Sequence, residues 1–332
     1  MKQTSWFFVR FILHLGWRSV LVVGLTASAQ PGFAQSACEF HRTLSVTASD
    51  PVTLDVQLTD GELQIACGRN EQVSIAAFAH VPVGVKAGTE FLATALAVEQ
   101  DGNHVRLRHL SNVGPEERRI RIVCRIDLPY LTEVHSVVEN GKQTITGIMG
   151  PVNARTKNGD IKVSYVSKGV LAEAGSGNLD LQVIGEHIEA RTGNGNISCV
   201  RVAQGASAET EDGDIILKVV GPSNATVKTG TGRIDVGGAR GSFTGSTTGG
   251  DLHIKAMLHD DWRLTSASGN IRIELPPAAK FEVDATTNHG EVVIDRDDVE
   301  RPDAEVRQLH KKVNGGGKRV EVHTDRGKIV IR

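Results

Sequence analysis

Aromatic residues are scarce in this chain, at 4% of 332 positions with 3 Trp and 2 Tyr. Trp262 is the only tryptophan beyond the N-terminal segment, and Tyr130 and Tyr165 are the only tyrosines. So few rings exclude a row of stacking subsites for sugars or bases. Charge of one sign is missing too, with 37 basic against 39 acidic residues, so nothing points to nucleic acid held by its phosphates. No apolar run reaches the roughly 20 residues of a membrane-spanning helix, because Arg10, His14 and Arg18 interrupt the N-terminal one. The 4 cysteines form no CxxC and no His/Cys ligand spacing, so no structural zinc is expected, nor any other metal or cofactor. No amphipathic helical period lies between the strand-like runs, which removes βαβ units.

Glycine is abundant, at 36 residues, and it recurs at a fixed period. The stretch Thr192-Gly-Asn-Gly-Asn-Ile-Ser-Cys199 is rewritten as Thr156-Lys-Asn-Gly-Asp-Ile-Lys-Val163, Thr210-Glu-Asp-Gly-Asp-Ile-Ile-Leu217, Thr229-Gly-Thr-Gly-Arg-Ile-Asp-Val236 and Ser266-Ala-Ser-Gly-Asn-Ile-Arg-Ile273. Its anchors are Gly141, Gly159, Gly177, Gly195, Gly213, Gly232, Gly250, Gly269 and Gly290, with Gly327 as a late member. Successive differences are 18, 18, 18, 18, 19, 18, 19, 21 and 37. A short repeat of fixed period means a solenoid, whose units bury apolar surface only against their neighbours. Two short strands per unit, such as Ile188-Glu-Ala-Arg-Thr192 and Ile197-Ser-Cys199, predict an all-β, single-stack parallel β-helix of about ten coils of ~18 residues. With coils about 4.8 Å apart, the steps from Gly141 to Gly327 predict a rod of roughly 43 Å.

The N-terminus reads as a secretory signal peptide. Lys2, Arg10 and Arg18 lead into Val20-Leu-Val-Val-Gly-Leu25, and small residues follow. Cleavage is expected near Ala34, with Ala29 and Ala37 as alternatives. Gln35 stands where a lipoprotein box needs an aliphatic residue before Cys38, so lipidation is not expected. The chain then divides into a signal peptide, 1–34, and one β-solenoid domain, 35–332. Within it, 35–129 is an irregular N-terminal cap, 130–294 the regular repeats, 295–318 a loop excursion and 319–332 the last coil. In an oxidising compartment Cys67 and Cys124, which both end alternating apolar runs, are candidates for a disulfide, with Cys38 to either one as the alternative. Cys199 fills the slot of Val163, Val236 and Ile273 and is expected to be a small buried hydrophobe.

Three columns recur. Three residues before each anchor from Gly159 onward stand Thr156, Ala174, Thr192, Thr210, Thr229, Thr247, Ser266, Thr287 and Thr324, a ladder of small, mostly hydroxyl side chains. The glycines mark a turn where Cβ would clash. After them come Asp160, Asn178, Asn196, Asp214, Arg233, Asp251, Asn270, Glu291 and Lys328. Calcium-binding β-rolls repeat Asp and Asn with a nine-residue period, whereas here the period is twice that and Arg233 and Lys328 interrupt the row, so turn chemistry is expected. His253, His289 and His323 occupy different slots and are not expected to share a metal.

With its recurring Thr-x-x-Gly-Asp/Asn-Ile-x-Val units, Leu128-Pro129 before the array and Asn314-Gly-Gly-Gly317 after it, the chain resembles the bacterial putative-adhesin β-solenoid family (DUF4097-type domains) from about Glu39 to Arg332. The resemblance implies a right-handed, single-domain β-helix on exported or envelope proteins, located in the periplasm or at the outer cell surface, and brings no catalytic residues. The function expected is an adhesin-like binding or scaffold module, not an enzyme, with an envelope protein or glycan as partner. Its outward row Lys162, Asp180, Ser198, Ile216, Asp235, His253 and Arg272 is chemically mixed. A purely structural envelope accessory is not separable from this by sequence. The alternative is a carbohydrate-active lyase or hydrolase, which needs clustered carboxylates; the acidic pairs Asp260-Asp261 and Asp297-Asp298 fall in expected loops. The last strand, flanked by Lys328 and Arg332, is expected at the open end of the rod, where its edge could pair end to end with a second copy. Recognition is expected from what is not repeated: the cap before Pro129, the excursion after Asp295, or the variable outward positions.

Overall fold

A computed structural model describes residues 38–47, 50–68, 72–82, 85, 91–110, 120–221, 223–296 and 306–332. The expected signal segment and its cleavage positions lie outside the described residues, as does 297–305, which includes Asp297 and Asp298. Apart from the one-turn helix Phe91–Ala95, the ordered elements are strands.

Each coil gives one strand to each of two sheets. The upstream sheet holds the strands before the corner glycine, among them Val152–Asn158, Val170–Ser176 and Ile188–Asn194. The downstream sheet holds those after it, such as Ile161–Val166, Leu179–Ile184 and Ile197–Val202. Pairing is parallel and in repeat register: Val170 lies beside Ile188, and Leu179 beside Ile197. Alternation decides what is buried, since successive side chains point to opposite faces. Ala172, Ala190 and Ala208 line the upstream wall of the core, and Leu181, Cys199 and Leu217 the downstream wall, all essentially without exposure. Each fully buried Leu or Ile contributes about 1.5–3 kcal/mol. Small against large is how a narrow two-sheet core closes.

Twelve coils stack among the described residues, about 53 Å at 4.8 Å per step. The rod extends beyond the expected ten coils because the N-terminal cap is itself coiled. Val52–Cys67 is one continuous strand that turns its corner at Gly61 and serves both sheets, pairing with Thr132–Asn140 in one and Gln143–Thr146 in the other. Its outer side is covered by His104–His109 and Arg121–Leu128. Antiparallel strands finish that end: Leu96–Asp101 on the upstream sheet, Gln72–His80 and then Cys38–Ser45 on the downstream sheet.

The C-terminal end corrects the expectation of a terminal edge. Lys318–Arg326 pairs with Trp262–Ser268 on one side and Phe281–His289 on the other. Likewise Ile329–Ile331 lies between Ile271–Glu274 and Val292–Ile294. The chain therefore skips a level after Glu274, builds the outermost coil with 281–294, and returns to fill the gap. A terminal strand with both edges paired has no edge for a second copy, so an end-to-end dimer through it is not available. The expected loop excursion is also corrected, because it contains the strand Gln308–Val313, antiparallel to Phe281–His289. Asn314 and Gly315–Gly316, all with positive φ, carry the chain over the end of that strand. Gly317 there needs its bare Cα, since a Cβ would sit 2.5 Å from the Lys280 carbonyl oxygen.

The cysteines are corrected too. Cys67 and Cys124 are both free thiols. Cys124 lies beside Leu63 and Cys67 beside Leu128, so four residues of strand, about 13 Å, separate them, well beyond the ~7 Å Cα limit of a disulfide. Cys38 lies opposite Ala79, on the far side of Gln72–His80 from the Cys124 strand. Cys199 and Cys124 are buried in the core, and burial pushes both thiols up to about 12.

Candidate functional site

The repeated columns hold the coils together. A Cβ on Gly195 would lie 2.1 Å from the carbonyl oxygen of Gly177, and the same geometry recurs from Gly141 onward, each glycine over the glycine of the coil before it in space. That same oxygen accepts the Thr192 hydroxyl at 2.9 Å; Thr210 donates to Gly195 O at 3.0 Å, Thr229 to Gly213 O at 2.9 Å, and Thr324 to Gly269 O at 3.0 Å. The hydroxyl ladder and the glycine column are thus one device: glycine lets the carbonyl approach, and threonine satisfies it. The Asp/Asn column works along the same axis. Asp160 Oδ1 accepts the Asn178 N–H at 2.8 Å, Asn178 that of Asn196 at 2.9 Å, Asn196 that of Asp214 at 2.8 Å, and Asp214 that of Arg233 at 2.7 Å. These side chains close backbone donors at a corner.

The other singled-out residues do not converge. Trp262 is buried, edge-on to Phe243, with its indole N–H donating to Gly241 O at 3.1 Å, so it offers no face to a sugar. Tyr130 and Tyr165 are exposed, at 53% and 62%. His253 is on the downstream sheet and His323 on the upstream sheet, with His289 at the end of an upstream strand. Among the described residues no group of three or more His, Cys, Asp or Glu is placed to hold a metal ion. Asp260 and Asp261 are taken up by structure: Lys318 Nζ donates to Asp260 at 3.1 Å and the Arg319 N–H to Asp261 at 2.8 Å. The Lys318 hydrogen bond is the main cause holding the Asp260 carboxyl below its ordinary range.

What is not repeated collects at the C-terminal end of the downstream sheet. Two adjoining depressions, of ≈560 and ≈830 Å³, share Leu275 and Arg332. Among the described residues, their walls carry six cations, Arg240, Lys255, Arg272, Lys280, Arg296 and Arg332, against two acids, Glu274 and Asp295. That is a local excess of basic charge on a chain whose net charge is −2. Glu274 is a hub: Arg272 Nε donates to it at 2.8 Å, His253 Nε2 lies 3.4 Å away and Lys255 Nζ 3.7 Å. Partial burial pushes the Glu274 carboxyl up, but the hydrogen bond from Arg272 and the nearby His253 ring outweigh it and hold the group below its ordinary range. Arg332 Nε pairs with Asp295 at 2.8 Å. Arg240 and Lys280 make no ion pair with any described residue. Met257, Leu275 and Pro276 form an apolar floor.

The skipped level builds this groove. Arg332 reaches it only because the last coil lies between 271–274 and 292–294. The proline segment after Glu274 is held by Arg296, which donates to the carbonyls of Pro276 and Pro277 and lies over the Phe281 ring at 5.8 Å. Asn314 Nδ2 adds bonds to Pro277 O at 3.1 Å and Ala279 O at 3.0 Å. A third depression, of ≈500 Å³ on the upstream sheet, contrasts in charge. There His135 pairs with Glu133 at 3.0 Å and Lys168 with Glu186 at 2.9 Å.

The family described as Toastrack DUF4097 matches residues 141–332. Comparison with curated proteins returns no match. Among solved structures, the chain is similar to a putative adhesin from Parabacteroides merdae ATCC 43184, at 10% identity, covering 89% of this chain and 96% of that one, with a TM-score of 0.40. It is similar to a putative cell adhesion protein from Clostridium sporogenes ATCC 15579, at 10% identity over 89% and 99% of the two chains, TM-score 0.25. A putative lipid binding protein from Parabacteroides distasonis ATCC 8503 is similar at 9% identity over 90% and 98%, TM-score 0.31.

Proposed function

The chain belongs to the Toastrack DUF4097 family, and from that premise we propose that it is an exported, envelope-located binding or scaffold module without catalytic activity. The observation that carries this reading is the division of labour on the rod. Repeated polar positions are consumed by bonds between coils, while unrepeated charge gathers in one groove. A surface so divided displays a ligand site on an inert frame. The signal-like N-terminus supports export, with the periplasm or outer cell surface as destination. No helix among the described residues is long and apolar enough to cross a membrane. The partner class is an envelope protein or glycan. No observation favours a polysaccharide lyase or hydrolase, since the acidic pair in reach is engaged by Lys318 and Arg319 and Trp262 is in the core.

The test is retention from native envelope extract on the immobilised 35–332 chain, with fractionation of cells expressing the full chain. The reading expects an envelope component retained above background and the chain outside the cytoplasm. A cytoplasmic chain, or cleavage of polysaccharide by the purified protein, contradicts it.

A further inference from the structure

Basic side chains occupy four consecutive coils at one edge of the downstream sheet. In spatial order they are Arg240 after Ile234–Gly237, Lys255 in Leu252–Lys255, Arg272 in Ile271–Glu274 and Arg332 after Ile329–Ile331. All line the first of the two joined depressions. One cation per coil over three steps is an array of about 14 Å along the rod axis. We propose that this groove binds a linear acidic glycan, an extended polysaccharide with about one carboxylate, sulfate or phosphate per sugar, lying parallel to the rod.

Spacing comes first: a coil step is close to the length of one pyranose unit in an extended chain, so the anionic groups on the glycan face turned to the rod recur at whole numbers of coil steps. The floor comes second. Met257, 47% exposed, with Leu275 and Pro276, gives the C–H faces of sugars an apolar surface between the charges. Charge balance comes third. Glu274 is already engaged by Arg272 and Lys255, and Asp295 by Arg332, so among the described residues the acids position the cations and leave the excess positive. Arg240 has no ion pair with a described residue, and Lys255 is 76% exposed, so both can turn to a ligand at little cost. The groove lacks aromatic platforms, so recognition is electrostatic and salt-dependent. This inference rests on the binding-module reading and adds a ligand class to it.

The probe is polygalacturonate, titrated calorimetrically into the 35–332 chain, with neutral dextran and phosphatidylglycerol vesicles in parallel. Binding of polygalacturonate is expected, weakening roughly 10-fold or more between about 50 and 200 mM salt as counterions are released, with none for dextran. The triple variant Arg240→Gln, Lys255→Gln, Arg332→Gln is expected to lose at least ten-fold in affinity. A triple variant with the same charge change elsewhere, Lys157→Gln, Lys162→Gln, Lys168→Gln, is expected to bind within two-fold of the parent, and circular dichroism melting verifies that both fold. No binding at low salt, equal binding by the groove variant, or preference for the vesicles overturns the proposal. If envelope extract still yields a retained component after any of those results, only the glycan inference fails and the binding-module reading stands.

Discussion

Adding a methyl group at Gly195 would place carbon 2.1 Å from the Gly177 carbonyl oxygen, and that oxygen accepts the Thr192 hydroxyl at 2.9 Å. Gly195→Ala is therefore expected to cost more than about 3 kcal/mol, because two coils must part or the corner must distort, at a φ of +150° that an L side chain rarely adopts. The ladder also has a gap. Ala174 is buried between Thr156 and Thr192 and has no hydroxyl for Gly159. Ala174→Thr is expected to gain about 1 kcal/mol, read as a higher denaturation midpoint at unchanged m-value; a lower midpoint contradicts the ladder. With Cys124 and Cys199 raised to about 12 by burial, neither forms thiolate near neutral pH, whereas Cys67 is exposed. In a Cys38→Ser background, a thiol reagent at pH 8 is expected to label only Cys67 in the native protein and three cysteines after unfolding. Rapid native labelling of Cys199 contradicts its placement in the core.

Between residues and whole rod lies the order of the coils, and here the sequence is only partly legible. The Thr-x-x-Gly motif announces most coils because it states the corner chemistry outright. Gly61, within Asp60-Gly-Glu-Leu63, has Leu58 in the threonine slot and reads only as an imperfect copy, yet it takes its place beneath Gly141. Nothing in the motif says which coil is the neighbour in space. Gly327 follows Gly290 in the chain but lies between Gly269 and Gly290 in the stack, since parallel pairing accepts any strand with the same alternation. Nor do residue types reveal the left-handed column Tyr165, Val183 and Arg201, at φ 56°, 56° and 61°, because Tyr, Val and Arg ordinarily avoid that region. A chain ending at 317 loses an interior level, leaving 262–274 and 281–294 about 10 Å apart with unpaired strands. Limited proteolysis of that truncation is expected to remove everything after Glu274. Survival of 281–313 as a protected unit contradicts the inserted coil.

The whole molecule combines an array whose polar groups bond its own coils with a groove that exists because the last coil is inserted. The sequence showed that recognition should lie off the repeat, and it marked the region after Asp295. It could not show that Arg240, Lys255 and Arg332, 92 positions apart from first to last, share one wall, because that follows from the skipped level. The most direct measurement therefore concerns the order of the coils. In a Cys38→Ser, Cys67→Ser background, two cysteine pairs are introduced at outward positions of the downstream sheet and oxidised. Val330→Cys with Val293→Cys joins coils adjacent in the structure, at a Cα separation near 4.8 Å that a disulfide spans. Arg272→Cys with Val293→Cys joins coils separated by the Ile329–Ile331 strand, near 10 Å. The account predicts an intramolecular disulfide in the first pair and free thiols in the second. Efficient bridging of the second pair, with none in the first, would show the coils stacked in chain order and remove the groove built on the inserted one.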